Sequence, residues 1–299
     1  MTFKQKIGNA MHSIKISSEV DSKMNHLLAA FKNFIPHSHS IFEFRQSEPH
    51  SFQSPTETPI ETKKLASYID HTLLRADATE NEIKTLCEEA IQYHFATVCV
   101  QSSFIPFASQ LLKNQTSLPI SVVGFPLGAM DSNSKAFEAK TAVNQGAKEI
   151  DMVLHLGHLK SKNYSLVYQD IEEVVKTVSP IPVKVILETC YLNEEEKIAA
   201  CLLSKAAGAA FVKTSTGFGT PKATQENPHP TNGATLEDIL LMRYIVGPEM
   251  GVKASGGIRT RNDAENLIKA GASRLGTSAG VTLLASLNSN QTHLSSGSY

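Results

Sequence analysis

Two stretches decide the fold, FVKTSTGF at residues 211–218 and VKASGGIRT at residues 252–260. Each begins as a short apolar run, is interrupted by a lysine (Lys213 and Lys253), and continues into small polar residues and glycine. Parallel strands that are covered on both faces are normally apolar throughout. A charged residue inside such a strand is therefore expected only where it has a partner or a chemical task.

The same kind of run recurs along the chain and alternates with helical patterns. Eight runs over residues 66–288 give about 28 residues per unit, a spacing typical of repeated strand and helix units. No GxGxxG follows the first run, which disfavours an open dinucleotide-binding sheet. The pattern predicts an α/β protein with a (β/α)8 barrel. The runs are at residues 68–69, 96–100, 120–123, 150–153, 183–187, 210–213, 251–254 and 273–276.

Three of the predicted helices end with the same two residues. Gly146-Ala147, Gly208-Ala209 and Gly271-Ala272 each follow a helical pattern and precede a strand. Glycine adopts the left-handed conformation that closes a helix at its C′ position. We expect all three glycines to occupy it.

Four charged residues lie in the runs that should be buried: Asp151, Lys184, Lys213 and Lys253. Near the ends of neighbouring barrel strands they would converge where barrel enzymes place their chemistry. One such lysine could be a structural ion pair, but crowded ammonium groups should lower the pKa of at least one amine, which favours imine chemistry. Lys213 is the candidate nucleophile, since Thr214 and its small neighbours leave room for substrate. Lys253 would be the second cation and Asp151 a proton relay.

Glycine-rich loops follow the last strands and suggest an anion site. Backbone N–H groups after strands 7 and 8 form the usual phosphate site of such barrels. The alternative is that these glycines only make tight turns. The candidate phosphate-binding residues are Gly217, Gly256, Gly257, Arg259, Gly276, Thr277 and Ser278.

Composition narrows the classes of partner. The formal net charge is −1, from 28 Lys and Arg against 29 Asp and Glu, which gives no electrostatic reason to expect nucleic acid. No apolar run is long enough for a membrane span, and no secretory signal is recognisable at the start. The four cysteines lack the spacing of a zinc site, so we expect thiols in a reducing, cytoplasmic compartment.

Residues 1–62 differ from the rest and are predicted to be an extension, before a barrel domain at 63–287 and a flexible tail at 288–299. A helix over about 19–35 has Val20, Met24, Leu27, Leu28, Phe31 and Ile35 on one face, and a polar linker follows it. Ser18 with Asp21 could cap this helix. Packing on the main domain is the simpler interpretation, and binding of a partner or membrane is the alternative.

The motifs together resemble the deoxyribose-phosphate aldolase family over residues 65–287, in order and at similar spacing. They are IDHTLL (69–74), KEIDMV (148–153), VKVILET (183–189), FVKTSTGF (211–218), VKASGGIRT (252–260) and RLGTSAG (274–280).

The resemblance implies a class I aldolase that reversibly cleaves 2-deoxy-D-ribose 5-phosphate to acetaldehyde and D-glyceraldehyde 3-phosphate, without metal or organic cofactor. It implies that Lys213 forms the Schiff base, that Lys253 tunes it and that Asp151 serves acid–base chemistry. Asp70 and Thr72 would line the pocket, and Lys184 and Thr214 are further candidates for substrate contact. The partner would be a small phosphosugar, and the protein could form a homodimer.

Some features depart from the family pattern. Loop 6, residues 219–232, is longer than usual, and Ala279 replaces a serine found in some members. The chain ends in Tyr299, and some members use a terminal tyrosine on a mobile tail in proton transfer. An isolated terminal tyrosine is also common in a tail without function. Both interpretations of Tyr299 stay open.

Two rival functions remain. The first is another Schiff-base aldolase or a transaldolase that acts on a different sugar. The second is a barrel without catalysis that serves as a binding module through its N-terminal helix. Retention of activity after truncation before Lys63 would favour the enzyme, and the intact set of Asp151, Lys213 and Lys253 argues for it.

Overall fold

Eight parallel strands close into a barrel in the order of the chain. The computed structural model describes residues 18–35, 60–221 and 231–285. The predicted (β/α)8 barrel is confirmed. The strands are β1 (Ile69–Leu73), β2 (Thr97–Val100), β3 (Leu118–Val123), β4 (Glu149–Val153), β5 (Val183–Ile186), β6 (Phe211–Lys213), β7 (Gly251–Ser255) and β8 (Arg274–Thr277).

Helices surround the barrel and alternate with its strands. They are α1 (Ser18–Phe31), α2 (Thr62–Ala66), α3 (Glu80–Tyr93), α4 (Ile105–Leu111), α5 (Ser132–Asn144), α6 (Leu156–Lys160), α7 (Tyr164–Val178), α8 (Glu194–Ala206), α9 (Leu236–Val246), α10 (Arg261–Lys269) and α11 (Gly280–Ala285), with short 3₁₀ turns at Ser102–Phe104 and Thr189–Tyr191. None of the helices in the described ranges is both long and apolar enough to cross a bilayer.

Local sequence explains where the helices start and stop. Thr79, Asn193 and Thr260 each accept a hydrogen bond from the third residue of the following helix, whose side chain in turn accepts the backbone N–H of the cap. Such reciprocal caps satisfy N–H groups that have no partner within the helix. The three predicted terminal glycines, Gly146, Gly208 and Gly271, have φ of 116°, 81° and 114°, as the sequence analysis expects.

The interior of the barrel has an apolar side and a charged side. Cys99, Ile120 and Val122 on β2 and β3, with Leu74 after β1, form an apolar cluster that is separate from the main core. The main core fills the layer between strands and helices. Most of the charged residues inside the barrel come from β4 to β8. This division leaves a polar space next to an apolar wall.

The first strand is longer than its predicted run, and three of the charged residues lie deeper in their strands than expected. Strand β1 continues to Leu73, beyond the predicted run at 68–69, and Asp70 and Thr72 lie within it. Lys184 is the second residue of β5, and Asp151 and Lys253 are in the middle of their strands. The prediction that all four charged residues lie near the strand ends was therefore right only for Lys213. Short apolar runs do not show where pairing between neighbouring strands begins.

A fully buried ion pair fixes the end of β4 against two helices. Lys135 Nζ donates to Asp170 Oδ2 at 2.6 Å and to the carbonyl oxygen of Val153 at 3.0 Å. Ser132 Oγ donates to the other Asp170 oxygen at 2.9 Å. With its donors and acceptors satisfied, this pair ties α5 and α7 to the strand that carries Asp151.

Helix α1 lies against the outside of the barrel through its apolar face. The six apolar residues of the predicted stripe are all buried. The Phe31 ring meets that of Tyr164 on α7 at 5.1 Å, and Lys23 Nζ reaches Glu194 of α8 at 2.8 Å. Asp21 accepts a hydrogen bond from Tyr244 of α9 at 3.1 Å. The helix thus covers the seam of three barrel helices. The side chain of Ser18 and residue Pro36 lie outside the described part of the chain.

Phe31→Ala is expected to destabilise the protein by about 3 kcal/mol, because a fully buried ring leaves a cavity between α1 and α7. Thermal unfolding, together with limited proteolysis between α1 and β1, measures the loss. Asn33→Ala, at an exposed position of the same segment, serves as the control. Equal melting temperatures for the two variants would show that α1 contributes nothing to the stability of the barrel.

Candidate active site

The centre of the charged side is the carboxylate of Asp151. Its Oδ1 accepts a hydrogen bond from Lys184 Nζ at 2.9 Å, and its Oδ2 accepts from Lys253 at 2.8 Å and from Lys213 at 3.0 Å. Lys184 also contacts Glu149. Strand register explains the convergence, because Asp151 pairs with Lys184 between β4 and β5, and Lys213 with Lys253 between β6 and β7.

A second carboxylate, Asp70, extends the network around the barrel. Lys253 Nζ lies 2.5 Å from Asp70 Oδ2, and Arg274 donates to Asp70 Oδ1 at 2.7 Å. Thr97 Oγ1 donates to the same oxygen at 2.7 Å. These contacts extend the network from β7 through β8 to β1. Arg274 also donates a hydrogen bond to Glu149 at 3.2 Å. Because Glu149 contacts Lys184 as well, the network returns to its starting point at Asp151.

The charges of this network set the protonation of its members. Burial alone would raise the pKa of Asp151, but the charges of Lys184, Lys213 and Lys253 hold it well below its usual value. The pKa of Asp70 is also lowered, since Lys253 and Arg274 outweigh the effect of burial. Burial alone would lower the pKa of Lys253, but Asp151 and Asp70 raise it above the ordinary value of 10.5. The two carboxylates thus favour the protonated form of Lys253.

Lys213 differs from the other two lysines. It is the last residue of β6, and its side chain is 2% exposed, whereas those of Lys184 and Lys253 are fully buried. Within the described ranges it pairs with a single carboxylate, Asp151, through an oxygen that Lys253 already occupies. Lys213 thus has fewer compensating contacts than Lys184 or Lys253, and it remains the candidate nucleophile.

Small polar residues follow this lysine along the chain. Thr214 Oγ1 donates to the carbonyl oxygen of Ser255 at 3.1 Å and accepts from its N–H at 3.0 Å, so it joins β6 to β7. The hydroxyl oxygens of Ser215 and Ser255 are buried and have no partner in the described part of the chain. These two hydroxyls, one on the segment after Lys213 and one at the end of β7, are available to a bound ligand.

The predicted phosphate-binding residues fall into two groups. Gly257, Arg259 and Ser278 are exposed at the mouth, and a side chain at Gly257 would meet open space although its φ is 74°. Gly256 and Gly276 instead lie so close to neighbouring backbone and side-chain atoms that an added Cβ atom would collide with them.

The hydroxyl of Thr277 connects the loops after β7 and β8. It donates to the carbonyl oxygen of Ile258 and accepts from the N–H of Ala279, each at 3.0 Å. Its proton is therefore engaged within the protein. Gly217 is half-buried in the loop after β6, where its carbonyl oxygen accepts a hydrogen bond from Asn232 at 3.3 Å.

The remaining candidates are less close to the amine or are not described. Thr72 Oγ1 donates to the carbonyl oxygen of Asp70 at 2.7 Å. Tyr299 and residues 222–230 of loop 6 lie outside the described residues. The expectations for the terminal tyrosine and for the effect of the longer loop thus stay predictions.

Three residues of this region were not among the candidates predicted from the sequence: Glu149, Glu188 and Arg274. Glu149 is two positions before Asp151, so strand periodicity puts both on the inner face and could have identified it. The same argument applies to Arg274 before Gly276. No sequence signal marks Glu188, which lies after β5 and contacts Thr216 after β6.

Comparison with known proteins agrees with this geometry. The sequence model of the DeoC/LacD family aldolases matches residues 64–287. The chain is 53% identical over 221 residues to a protein of Streptococcus sanguinis named deoxyribose-phosphate aldolase, which covers 74% of this chain and 96% of that protein. It is 50% identical over 236 residues to the protein of that name from Carboxydothermus hydrogenoformans, with 78% and 99% covered.

Solved structures show the same fold. A putative deoxyribose-phosphate aldolase from Coccidioides immitis superposes with a TM-score of 0.73 at 39% identity, over 83% of this chain and 95% of that one. Deoxyribose phosphate aldolase from Aeropyrum pernix superposes with a TM-score of 0.67 at 33% identity, over 85% and 99%. With matches over the whole barrel, the chain belongs to the DeoC/LacD family of aldolases.

Proposed function

We propose that this aldolase reversibly cleaves 2-deoxy-D-ribose 5-phosphate to acetaldehyde and D-glyceraldehyde 3-phosphate, in the breakdown of deoxyribonucleosides. The observation that carries this proposal is the position of Lys213, which shares one oxygen of Asp151 with Lys253. The names of the relatives supply the substrate class. The geometry supports an amine nucleophile that belongs to a network of ion-paired lysine, arginine and carboxylate side chains.

A count of charges in the network supports a neutral amine. Arg274 and the three buried lysines could carry four positive charges, against the three carboxylates of Asp70, Glu149 and Asp151. Removing one proton balances the set, and an excess charge in a buried site is costly. Lys213 has the fewest anionic contacts, so its proton is the least stabilised.

The proposed reaction follows from this neutral amine. Lys213 adds to the aldehyde carbon of the open-chain sugar and water leaves, which forms an imine. The protonated imine accepts the electrons of the C2–C3 bond while the C3 hydroxyl loses its proton, and glyceraldehyde 3-phosphate departs. The enamine that remains takes up a proton at carbon, and hydrolysis releases acetaldehyde and the amine.

Asp151 is assigned to the transfer of the hydroxyl proton. Its lowered pKa makes it a weak base alone. We infer that it relays the proton between the substrate hydroxyl and a neighbouring amine, since its two oxygens contact all three lysines. Lys253 supplies the charge that keeps the nucleophile neutral, and Lys184 holds the carboxylate in position. Asp70 and Thr72 are assigned to the wall of the substrate pocket on the side of β1.

The phosphate is proposed to bind at the opposite side of the mouth, over β7 and β8. The exposed Gly257, Arg259 and Ser278 offer a bare backbone, a guanidinium and a hydroxyl. Gly256, Gly276 and Thr277 hold the two loops together there. Gly217 completes the group at the end of β6.

Assembly and location are proposed as well. Leu127, Met130 and Phe137 are 74%, 38% and 73% exposed near the loop after β3, and large exposed apolar side chains in one region favour an interface. We propose a homodimer through this surface in a cytoplasmic protein. We also propose that residues 1–62 form an extension to a barrel domain at 63–287, with a tail at 288–299. The relative from A. pernix is described as a tetramer.

Borohydride reduction in the presence of acetaldehyde is expected to modify Lys213 alone, because this amine is the proposed nucleophile and ends its strand, whereas Lys184 and Lys253 are fully buried within theirs. Peptide mapping by mass spectrometry identifies the modified residue. Lys213→Arg should abolish both the adduct and the cleavage of deoxyribose 5-phosphate. An adduct on Lys184 or Lys253 in the unaltered protein would reverse the assigned roles.

Lys253→Met should lower kcat/KM by at least about a hundredfold, since Asp151 would then need the proton of Lys213 for its own neutralisation. Steady-state rates and the rate of imine trapping measure this effect together. Lys253→Arg keeps the charge and should recover part of the trapping rate. Lys176→Met, at a lysine 67% exposed on α7, is the control. Unchanged trapping in Lys253→Met would rule out the role of the second cation.

Phe137→Glu is expected to convert a dimer into a monomer, because it introduces a charge into the proposed apolar interface. Light scattering after size-exclusion chromatography gives the mass of each species. Leu166→Glu, at another exposed apolar position, 43% exposed on α7, serves as the control. A dimer that survives Phe137→Glu would place the interface elsewhere.

A further inference from the structure

A buried carboxylate that the proposed reaction does not use connects the loops after β5 and β6. Glu188 is 2% exposed, and it accepts hydrogen bonds from the N–H of Thr216 at 3.2 Å and from the Thr216 hydroxyl. Its φ of 54° is in the left-handed region, which is strained for a residue with a side chain. Strain of this kind persists where the surrounding structure demands one geometry, often at a functional site.

Two more contacts fasten the same pair of loops. A side chain at Gly219 would come within 2.7 Å of Cys190 Sγ, so the loops approach as closely as a glycine allows. The Tyr191 hydroxyl accepts the N–H of Thr220 at 2.7 Å. The segment that follows Lys213 is thus held along its described length by the loop after β5.

The anchored segment carries an aromatic ring across the barrel mouth. The hydroxyl of Thr216 accepts the N–H of Phe218 at 3.0 Å. The ring of Phe218 then meets the ring of Phe125 edge-on, with centroids 5.4 Å apart. Phe125 follows β3 and Phe218 follows β6, so the pair spans the mouth on the side of β4 and β5. Both rings pack on the apolar cluster inside the barrel.

We propose that Glu188 is a positioning residue that anchors the segment after Lys213. Through Thr216 it keeps Phe218 in contact with Phe125, and this aromatic pair covers the mouth beside the reactive amine. The pair excludes water from the side of Asp151 and leaves the phosphate side open. This inference rests on the proposed function, because it assigns a role in the imine chemistry of Lys213. Glu188 itself touches neither the amine nor the substrate.

The electrostatic surroundings of Glu188 are consistent with an anchor that needs its carboxylate in the ionised form. Burial raises the pKa of Glu188, while the hydrogen bonds from Thr216 oppose that rise. The titratable groups that act on it are Lys213 and the Cys190 thiol, whose Sγ lies 3.8 Å away. As the pH falls through this raised pKa, the carboxyl gains a proton and loses acceptor capacity for Thr216. The anchor is then weakened.

The test is a double-variant cycle with Glu188→Gln and Phe218→Ala, assayed for kcat and KM on deoxyribose 5-phosphate. Each single variant should lower kcat about tenfold, and the double variant should be no slower than the slower single, since both act through the same ring. Glu172→Gln and Leu118→Ala, at a carboxylate on α7 and an apolar residue at the start of β3, are the matched controls. If the losses of kcat in the two single variants multiply in the double variant, the two residues act independently and the proposal is wrong.

A pH profile supplies a readout that a structural role alone would not change. The acid limb of kcat should lie at a lower pH in Glu188→Gln than in the unaltered protein, because glutamine does not titrate. Coincident acid limbs, or unchanged kcat, would overturn the proposal. If Glu188→Gln melts early, Thr216→Val replaces it in the cycle, since it removes the hydroxyl contacts with Glu188 and Phe218. Imine trapping on the unaltered protein tests the proposed function separately.

Discussion

Three amines that converge on the one carboxylate of Asp151 are the constraint on which the site depends. A lone buried carboxylate or ammonium would be strongly unfavourable, so these groups are stable only together. Between them the two oxygens of Asp151 hold Lys184, Lys213 and Lys253. Lys253 has the further support of Asp70, whereas Lys213 has no second carboxylate among the described residues, so the arrangement is unequal. That inequality distinguishes the proposed nucleophile from the other two amines.

The barrel makes this arrangement possible by dividing its interior. The strands β1 to β3 contribute an apolar cluster, and the strands beyond them contribute most of the charges. A barrel interior is usually filled by apolar layers, which seal it. Here the layer is charged, and Arg274 joins its two further carboxylates by bridging Asp70 and Glu149.

Parts outside the barrel interior also determine where the chemistry sits. The buried pair of Lys135 and Asp170 holds the end of β4, the strand of Asp151. The loop after β5 holds the segment after Lys213 through Glu188. Helix α1 covers the seam of α7, α8 and α9, with its apolar face fully buried. Packing on the domain is therefore the interpretation of that helix that the structure favours.

The sequence by itself determined the barrel, the three helix ends marked by Gly-Ala and the identity of the central charged residues, whereas the N-terminal helix predicted to reach residue 35 ends at Phe31. Those features depend on local patterns: the spacing of apolar runs, glycines with positive φ, and charges inside apolar strands. Only the tertiary structure decided how deep each charge lies and how many partners it has. Lys184 and Lys213 look alike in sequence, yet one is fully buried between two carboxylates and the other ends its strand at the mouth. The contact of Glu188 with Thr216 likewise joins residues 28 positions apart, which no local pattern can reveal.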